Sequence, residues 1–482
     1  MSSDLPARPS LEYLKKQAKK LLGLLQAGDR DARTHFCNLT AGPVPNEPQL
    51  ADAQFAVARE YGFASWPRLH AHVTAAGDAP EPIEEFVLAV KKNRVAEVRR
   101  MLERFPALKL RLNDPLPHLA FGGTVLLAAR PHKELVDVLL AAGADINQRS
   151  YWWAGSFGIL DDALAPEMVD WLVSRGATMD AYAAARHGRF DVLKQLVAKD
   201  PAVVNQRFGD GQSPLHVAAS VEIAAFLLDH GADIDLLDID HESTPAQYLV
   251  KAHTEVARYL VSRGAKTDIF LATAIGDIDL VRHHLDRHPE AVRAVMTRES
   301  FPMKDVRAGG PVYTWTIGLN KTPHAVARDY GHPEVYTALM RRSPDDLKLA
   351  VATELGDEAT LRELHGGKNF VAGMSNAAKR RLVDAAMDEN WDGVRRMLAS
   401  GWPIDATGQH GSTVLHWAAW HGNPGMIREI LAYRPPLAAK DHDYGGTALG
   451  WAEHARREGW HPDRGDYEGS IRMLREAGVP MS

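Results

Sequence analysis

The stretch from Asp210 to Asp235, DGQSPLHVAASVEIAAFLLDHGADID, decides the fold of this chain. Asp210-Gly211 is a turn pair, because both residue types tolerate positive φ. Ser213-Pro214 opens a helix, since a proline at the first helical position lacks only an N–H that would have no partner there. A second helix follows over residues 223–228 and ends at Gly231, which suits the left-handed cap of a helix C-terminus. The stretch therefore predicts a turn followed by two short helices.

A unit of this size cannot bury its own apolar face, so it requires neighbours of the same kind. The tripeptide Gly-Ala-Asp begins at Gly143 and Gly231, and variants of it begin at Gly176 and Gly264. Gly143 and Gly176 are 33 residues apart, and so are Gly231 and Gly264. This spacing is the period of ankyrin repeats. Helix starts related to Thr-Pro recur at Ser213-Pro214, Thr244-Pro245, Thr322-Pro323, Thr413-Val414 and Thr447-Ala448.

These motifs strongly resemble those of the ankyrin-repeat family, and the resemblance extends from about residue 83 to the C-terminus. It implies an all-α solenoid of about twelve helix-pair units with hairpin fingers. It also implies a recognition scaffold that binds a protein, a peptide or a polar ligand in its concave groove. The fold alone does not define a function, because repeat arrays of this kind are scaffolds.

A helical segment over residues 1–76 precedes the predicted array. Residues 10–27 form an amphipathic helix with leucines on one face and lysines on the other, and residues 50–73 contain two helices around a glycine turn. The segment is similar to one that precedes ankyrin arrays in a number of bacterial proteins, and we interpret it as a cap on the first repeat. Residues 77–82 are the predicted linker, and residues 83–482 are the predicted array.

Composition restricts the classes of function. The net charge of −6 over 482 residues argues against binding to a phosphate backbone, which needs clustered positive charge. Cys37 is the only cysteine, which rules out an intramolecular disulfide and indicates a reducing compartment. The sequence has no apolar leader and no run of about 18 apolar residues. We therefore expect a cytoplasmic monomer without nucleic-acid or membrane partners.

Three predicted loops exceed the length of the repeat, and loops of a repeat array carry much of its specificity. They cover residues 148–157, 293–320 and 456–467. The second is long enough to indicate a functional or a disordered segment. Its sequence alternates over residues 313–317, which predicts a strand, and we interpret the loop 293–320 as a candidate lid.

Aromatic residues recur at positions predicted to face the concave groove. Alignment on the Thr-Pro signal puts Tyr248, Trp417 and Trp451 at equivalent positions. Two explanations remain open: these rings bind a ligand or a peptide, or they pack between a finger and the helix behind it. The predicted binding residues of the groove and fingers are Trp152, Trp153, Tyr248, Tyr313, Trp315, Trp417, Trp420, His421, Tyr444, Trp451 and His454.

Carboxylates at the same edge favour an alternative class of function. Paired carboxylates can act as acid and base or hold a metal, whereas Asp238 and Asp441 are typical of residues that cap a hairpin. The alternative is an enzyme with an acid/base site in a concave-face pocket, such as a hydrolase, lyase or isomerase, that acts on a small polar and sugar-like substrate. The candidate catalytic residues are Asp161, Asp162, His241, Glu242 and Asp443.

No cofactor and no metal site is predicted. The chain has 22 histidines but no HExxH, CxxC, P-loop or GxGxxG motif. His284 and His288 have the i,i+4 spacing of zinc ligands, but the sequence offers them no third ligand. His216 and His416 occupy a position whose ring is expected to bond to the backbone of the neighbouring finger. The sequence favours the recognition scaffold over the enzyme.

Overall fold

The structure is a computed structural model. Throughout the part of the chain that it describes, secondary structure is helical apart from one β-bridge between Phe208 and Gln212. No helix of that part has the length and apolarity needed to span a membrane. The described residues are 11–40, 42–75, 82–364, 373–460 and 463–481.

The backbone divides into two compact units. The first unit comprises residues 1–266 and 303–312, and the second comprises residues 267–302 and 313–482. The predicted linker lies outside the described residues except for Pro82, so the domain boundary at residue 83 stays a prediction. The prediction of an all-α fold is confirmed.

Short paired helices build both units. The α-helices of the first unit are Leu11–Gln26, Arg30–Thr40, Leu50–Glu60, Trp66–Ala75, Ile83–Lys91, Val95–Arg104, Val125–Ala129, Lys133–Ala141, Pro166–Ser174, Ala181–Arg186, Phe190–Lys199, Val221–Asp229, Pro245–Ala252 and Thr254–Ser262, and its 3-10 helices are Pro106–Arg111, Ala120–Gly122, Pro201–Asn205 and Pro214–Val217. The α-helices of the second unit are Ile269–Ile275, Ile278–Arg287, Tyr313–Thr316, Pro323–Asp329, Pro333–Arg342, Asp345–Leu355, Glu358–Glu363, Asn376–Met387, Trp391–Ala399, Val414–Trp420, Pro424–Leu431, Ala448–Glu458 and Tyr467–Glu476, and its 3-10 helices include Pro289–Arg293 and Gln409–Gly411.

The N-terminal segment contains the predicted helices and one that was not predicted. Leu14 and Ala18 of Leu11–Gln26 are fully buried, and that helix packs on Leu50–Glu60. The additional helix is Arg30–Thr40. Its only described buried residues are Ala32 and Phe36, so its apolar stripe is too narrow to stand out in the sequence.

In the stretch 210–235 the first of the two predicted helices is shorter than expected. Pro214–Val217 is a single 3-10 turn, because Ser220 already caps the next helix by accepting the N–H of Ile223 at 3.2 Å. Too few residues remain between them for an α-helix to propagate. The second helix is confirmed as Val221–Asp229, and Gly231 has the predicted left-handed conformation with φ +89°.

Two histidines join neighbouring fingers as predicted. His216 and His416 are each 1% exposed. The backbone N–H of Ser213 donates to Nδ1 of His216 at 3.0 Å, so Nε2 carries the proton and donates to the carbonyl of Ser243 at 3.3 Å. His416 repeats this arrangement with the backbone N–H of Thr413 and the carbonyl of Gly446.

A series of side-chain bonds also links the loops of successive repeats in the first unit. Asn113 accepts the backbone N–H of Asp145 at 2.8 Å, and its amide group donates to the carbonyl of Gly143. Asn147 and Asn205 make the same pair of bonds to the loops at residues 176–178 and 231–233. Each asparagine therefore satisfies two backbone groups that follow a helix C-terminus.

The predicted strand at residues 313–317 is wrong. Tyr313–Thr316 is a short helix, and the backbone N–H of Ile317 donates to the carbonyl of Tyr313 at 2.9 Å. Tyr313 and Ile317 are both buried, and residues four apart lie on one face of a helix as they do of a strand. The phenol of Tyr313 donates to Asp268 at 2.9 Å, which anchors this turn in the core of the second unit.

Trp417 and Trp451 belong to the core of the second unit and do not face an open groove, so that prediction is wrong for both. They are 3% and 8% exposed, and their ring centroids lie 5.1 Å apart. The ring of Trp460 lies 5.7 Å from that of Trp417, and Nε1 of Trp451 donates to Asp441 at 2.9 Å. The alternative explanation, packing between a finger and the helix behind it, describes Trp451.

We predict that His216 makes folding sensitive to acid. Burial lowers the pKa of His216 from 6.5 to about 3. Between pH 6.5 and 3, His216 is therefore protonated in the unfolded chain and neutral in the folded one. The stability from neutral His216 is complete above pH 6.5 and is lost as the pH falls towards 3, by about 1.4 kcal/mol per pH unit. The stability gap between wild type and His216→Gln should therefore narrow as the pH falls from 7 to 4.5 in urea titrations.

The control for this titration is His288→Gln, which removes a ring that is 67% exposed. Its unfolding free energy should stay parallel to that of the wild type over the same pH range. A gap between wild type and His216→Gln that stays constant with pH would contradict the account.

We predict that Trp417→Ala and Trp451→Ala lower the free energy of unfolding by about 3–5 kcal/mol each, the usual cost of removing a buried tryptophan. The matched control is Trp315→Ala, because the ring of Trp315 is 53% exposed and its loss should cost less than about 1 kcal/mol. Thermal and urea denaturation measure both effects. An unchanged melting temperature in Trp417→Ala would show that its ring is not core.

Candidate functional site

A cavity of about 550 Å³ lies in the first unit. Its size falls within the range of about 300–1,000 Å³ that is usual for ligand sites. Residues from five separate segments of the chain line the cavity and bring its polar and aromatic side chains together. The residues that line it are Lys91, His118, Leu119, Ala120, Phe121, Gly123, Thr124, Leu127, Ala128, Arg130, Ser150, Phe157, Asp161, Asp162, Tyr182, Arg186, Asp210 and Gln212.

Three lining residues contribute a buried polar atom without a hydrogen-bond partner in the described part of the chain. These atoms are Oγ1 of Thr124, Nε of Arg186 and Oδ1 of Asp210. Thr124 is 1% exposed, so its hydroxyl depends on a partner from within the cavity. Buried polar groups are nearly always hydrogen-bonded, and each exception requires an explanation. Together they supply two donors and an acceptor, which a polar ligand would satisfy.

Arg186 is a cation without an ion pair among the described residues. Its Nη2 donates to the phenol oxygen of Tyr182 at 3.0 Å, and Tyr182 also hydrogen-bonds to Gln212. Burial raises the pKa of Tyr182 to about 12, so the phenol is neutral and leaves the charge of Arg186 uncompensated by a direct contact. A carbonyl or carboxylate oxygen in the cavity would meet this charge.

Asp161 and Asp162, two of the candidate catalytic residues, both line the cavity. Asp161 is 3% exposed; it pairs with Arg149 and accepts the N–H of Gly158 at 2.8 Å. Burial raises the pKa of Asp161. Asp162 is exposed and pairs with Arg130. Both carboxylates are thus held by arginines.

Aromatic side chains form one wall of the cavity. The rings of Phe121 and Phe157 lie 4.9 Å apart, and Phe121 is 48% exposed. Trp152 packs edge-on against Phe121 at 5.0 Å, with Trp153 next to it. The predicted binding residues Trp152 and Trp153 therefore support this wall, although neither lines the cavity itself. Such a wall suits an apolar side chain or an aliphatic ring.

Glu242 and His241 belong to the finger at residues 238–243 and do not line the cavity. Oε1 of Glu242 accepts the backbone N–H groups of Lys304 and Asp305 at 2.8 and 2.9 Å. Nδ1 of His241 donates to the carbonyl of Gly310 at 2.8 Å. Residues 303–312 of the predicted lid are therefore bound to this finger, and Glu242 holds backbone there.

Asp238 and Asp441 cap their hairpins, as predicted. Asp238 accepts the N–H groups of His241 and Ser243, each at 2.8 Å, and the phenol of Tyr248 at 2.9 Å. Asp441 accepts three backbone N–H groups at residues 443, 444 and 446. Tyr248 is thus engaged by a finger in the same way as the equivalent Trp451.

The remaining predicted residues belong to the second unit, and five of them lie in one cluster of rings: Trp417, Trp420, His421, Trp451 and His454. Asp443 is exposed and pairs with His410, and Tyr444 is 75% exposed. Tyr313 is core, and Trp315 is at the surface. Trp420 and His421 border a small cavity of about 60 Å³ with Trp460, and the ring of His454 lies 6.0 Å from that of Trp420.

Sequence reasoning missed the residues that give the cavity its polarity. Asp210 was interpreted as a turn residue, and Thr124 is the helix-start threonine of its repeat. Arg186 ends the alanine-rich helix Ala181–Arg186. An arginine directly after a run of alanines is the one feature of the sequence that could have indicated this site. A charged residue at the end of a buried helix lies away from water and therefore needs a polar partner.

The comparisons agree with the repeat architecture. Residues 181–270 match the family described as ankyrin repeats (3 copies), and residues 382–428 match the one described as ankyrin repeats (many copies). The ankyrin repeat and SAM domain-containing protein 6 of Rattus norvegicus is 29% identical over 153 residues, which are 31% of this chain and 17% of that protein. Its Mus musculus counterpart is 30% identical over 118 residues, 24% of this chain and 13% of that protein.

The chain thus aligns with less than a fifth of the length of these curated relatives. The names of both relatives refer to ankyrin repeats. The matched residues 181–270 contain the stretch 210–235 and the 33-residue spacing that follows it. Helix pairs, left-handed glycine caps and histidine-linked fingers recur through the described residues. The chain carries ankyrin repeats, with family matches at residues 181–270 and 382–428.

Proposed function

We propose that this protein is an interaction scaffold that binds an extended peptide segment of a partner protein, one part of which enters the cavity of the first unit. Ankyrin repeats generally mediate protein–protein interactions. The observation that carries the proposal is the set of unpartnered buried atoms on Thr124, Arg186 and Asp210. A backbone amide offers a donor and an acceptor together, which is what these three residues require.

The shape and chemistry of the cavity support a peptide. Arg186 would donate to a carbonyl or carboxylate oxygen, and Asp210 would accept an N–H. The exposed ring of Phe121 and the neighbouring Phe157 offer an apolar surface for a side chain of the partner. Aromatic anchors beside a few oriented polar groups are typical of sites that dominate binding energy.

The carboxylates proposed for acid/base catalysis have structural partners instead. Asp161 and Asp162 pair with arginines, Glu242 holds two backbone N–H groups, and Asp443 pairs with His410 at the surface. A general acid or base must reach the substrate proton, and these contacts favour recognition over catalysis. Recognition is therefore the function that we propose.

The test uses a displayed library of random peptides selected on the intact chain, followed by fluorescence-polarisation titration of the enriched peptides. Thr124→Val keeps the shape of the side chain and removes its hydroxyl, and Arg186→Met keeps most of its length and removes its charge. We expect each change to weaken binding by about tenfold or more, which corresponds to the loss of one good hydrogen bond, or of a charge-assisted one.

The matched controls are Thr337→Val and Arg282→Met, which make the same chemical changes at exposed positions. Both should bind the enriched peptides with wild-type affinity. Equal affinities for the cavity variants and the controls would contradict the proposal. A chain that selects no peptide but binds small hydroxylated ligands through Thr124 and Arg186 would favour the polar-ligand alternative.

A further inference from the structure

Asp210, Asp240 and His241 form a compact group of metal-ligating side chains in the first unit. One ligand atom from each lies within 4.8 Å of the other two. Nε2 of His241 is 3.5 Å from Oδ2 of Asp240 and 3.7 Å from Oδ2 of Asp210. Asp240 and His241 are only 4% and 9% exposed. The group is therefore an enclosed cluster and not a solvated patch of charge.

The side chains of His241 and Asp240 are each oriented by a second partner, and the backbone of Asp210 joins the two loops. Nδ1 of His241 donates to the carbonyl of Gly310, which turns Nε2 towards the two carboxylates. Oδ1 of Asp240 accepts the N–H of Gly309 at 3.1 Å, which directs Oδ2 to the same point. The carbonyl of Asp210 accepts the N–H groups of residues 239 and 240, both at 3.0 Å, and so joins the two loops. Metal-binding histidines are usually held by such a bond from the other ring nitrogen.

The spacing of the atoms suits a small divalent ion. Zinc bonds of about 2.0–2.2 Å to nitrogen and oxygen place neighbouring ligands of a tetrahedron about 3.3–3.5 Å apart. The two measured separations are close to this value. One imidazole and two carboxylates suit Zn²⁺, Mn²⁺ or Fe²⁺ better than Mg²⁺ or Ca²⁺, which prefer ligand sets of oxygen alone.

A second observation points to an occupant of the cluster. Oδ1 of Asp210 is buried and has no hydrogen-bond partner among the described residues. Burial of a carboxylate oxygen without a partner is costly. An ion beside this carboxylate, or a water molecule bound to that ion, would satisfy the oxygen. Two carboxylates and a neutral imidazole also balance the charge of a divalent cation.

The backbone at Gly309 closes one side of the cluster. A Cβ on Gly309 would lie 3.0 Å from Oδ2 of Asp240 and 3.2 Å from Cε1 of His241. Residues 303–312 thus pass directly over the cluster, and Glu242 fastens the same segment at its other end. On this side the cluster has space only for an occupant as small as a single ion.

We propose that Asp210, Asp240 and His241 bind one divalent first-row transition ion, such as Zn²⁺, which fixes residues 303–312 on the finger at residues 238–243. With its proton on Nδ1, the neutral ring of His241 offers the lone pair of Nε2 to the ion. Three protein ligands leave a coordination position for water. The ion and a peptide N–H would share Asp210, which also lines the cavity. Asp240 and His241 do not line the cavity, so variants at these two positions test the metal site separately from peptide binding.

The test is isothermal titration of the chelator-treated, untagged full chain with Zn²⁺, and with Mg²⁺ in a separate run. We expect one equivalent of Zn²⁺ to bind. His241→Gln and Asp240→Asn should each weaken Zn²⁺ binding by about 10–100-fold or more. Loss of a residue that only supports a metal ligand already has an effect of this size. The control His410→Gln removes a histidine that pairs with a surface carboxylate and should bind Zn²⁺ as the wild type does.

Circular dichroism checks that each variant is folded, and a Co²⁺ absorption spectrum of the wild type provides a readout that needs no variant. A four- or five-coordinate spectrum that Zn²⁺ abolishes supports the site. A sample that shows nothing but the spectrum of hydrated Co²⁺ would overturn it. Zn²⁺ binding that persists in His241→Gln, or equal affinity for Mg²⁺ and Zn²⁺, would also overturn the proposal.

Discussion

The bonds between neighbouring fingers are the interaction on which the rest of this structure depends. A single repeat exposes one apolar face and the unpaired backbone groups that follow its helices. His216 donates across to the carbonyl of Ser243, and asparagines such as Asn205 satisfy the next loop through two bonds. Stacking thus buries the apolar faces and pairs the loop backbone in the same step, so neither contribution is available to an isolated repeat.

The cavity of the first unit follows from that stacking. Its lining comes from successive repeats, so residues as far apart in sequence as Thr124, Arg186 and Asp210 share one wall. The same finger geometry brings Asp240 and His241 next to Asp210. Asp210 therefore lines the cavity and also belongs to the proposed metal cluster.

The sequence predicted those features that depend on local chemistry. Proline and glycine positions gave the helix starts and left-handed caps, and Asp238 and Asp441 act as hairpin caps as expected. The strand at Tyr313 failed because a short alternating pattern also fits one helical turn. The roles of Thr124, Arg186 and Asp210 in the cavity were missed, and the burial of Trp417 was left open. Both depend on which side chains of other repeats lie opposite, and no periodic pattern encodes that pairing.

Hydrogen–deuterium exchange of the intact chain, with and without a saturating selected peptide, tests the central claim most directly. If the cavity of the first unit is the recognition site, protection should concentrate in the segments at residues 118–130, 182–187 and 210–217, which line it or lie beside it. Little change is expected around Trp420 and Trp460 of the second unit. Protection confined to those tryptophans, with exchange unchanged around Thr124 and Arg186, would contradict the account.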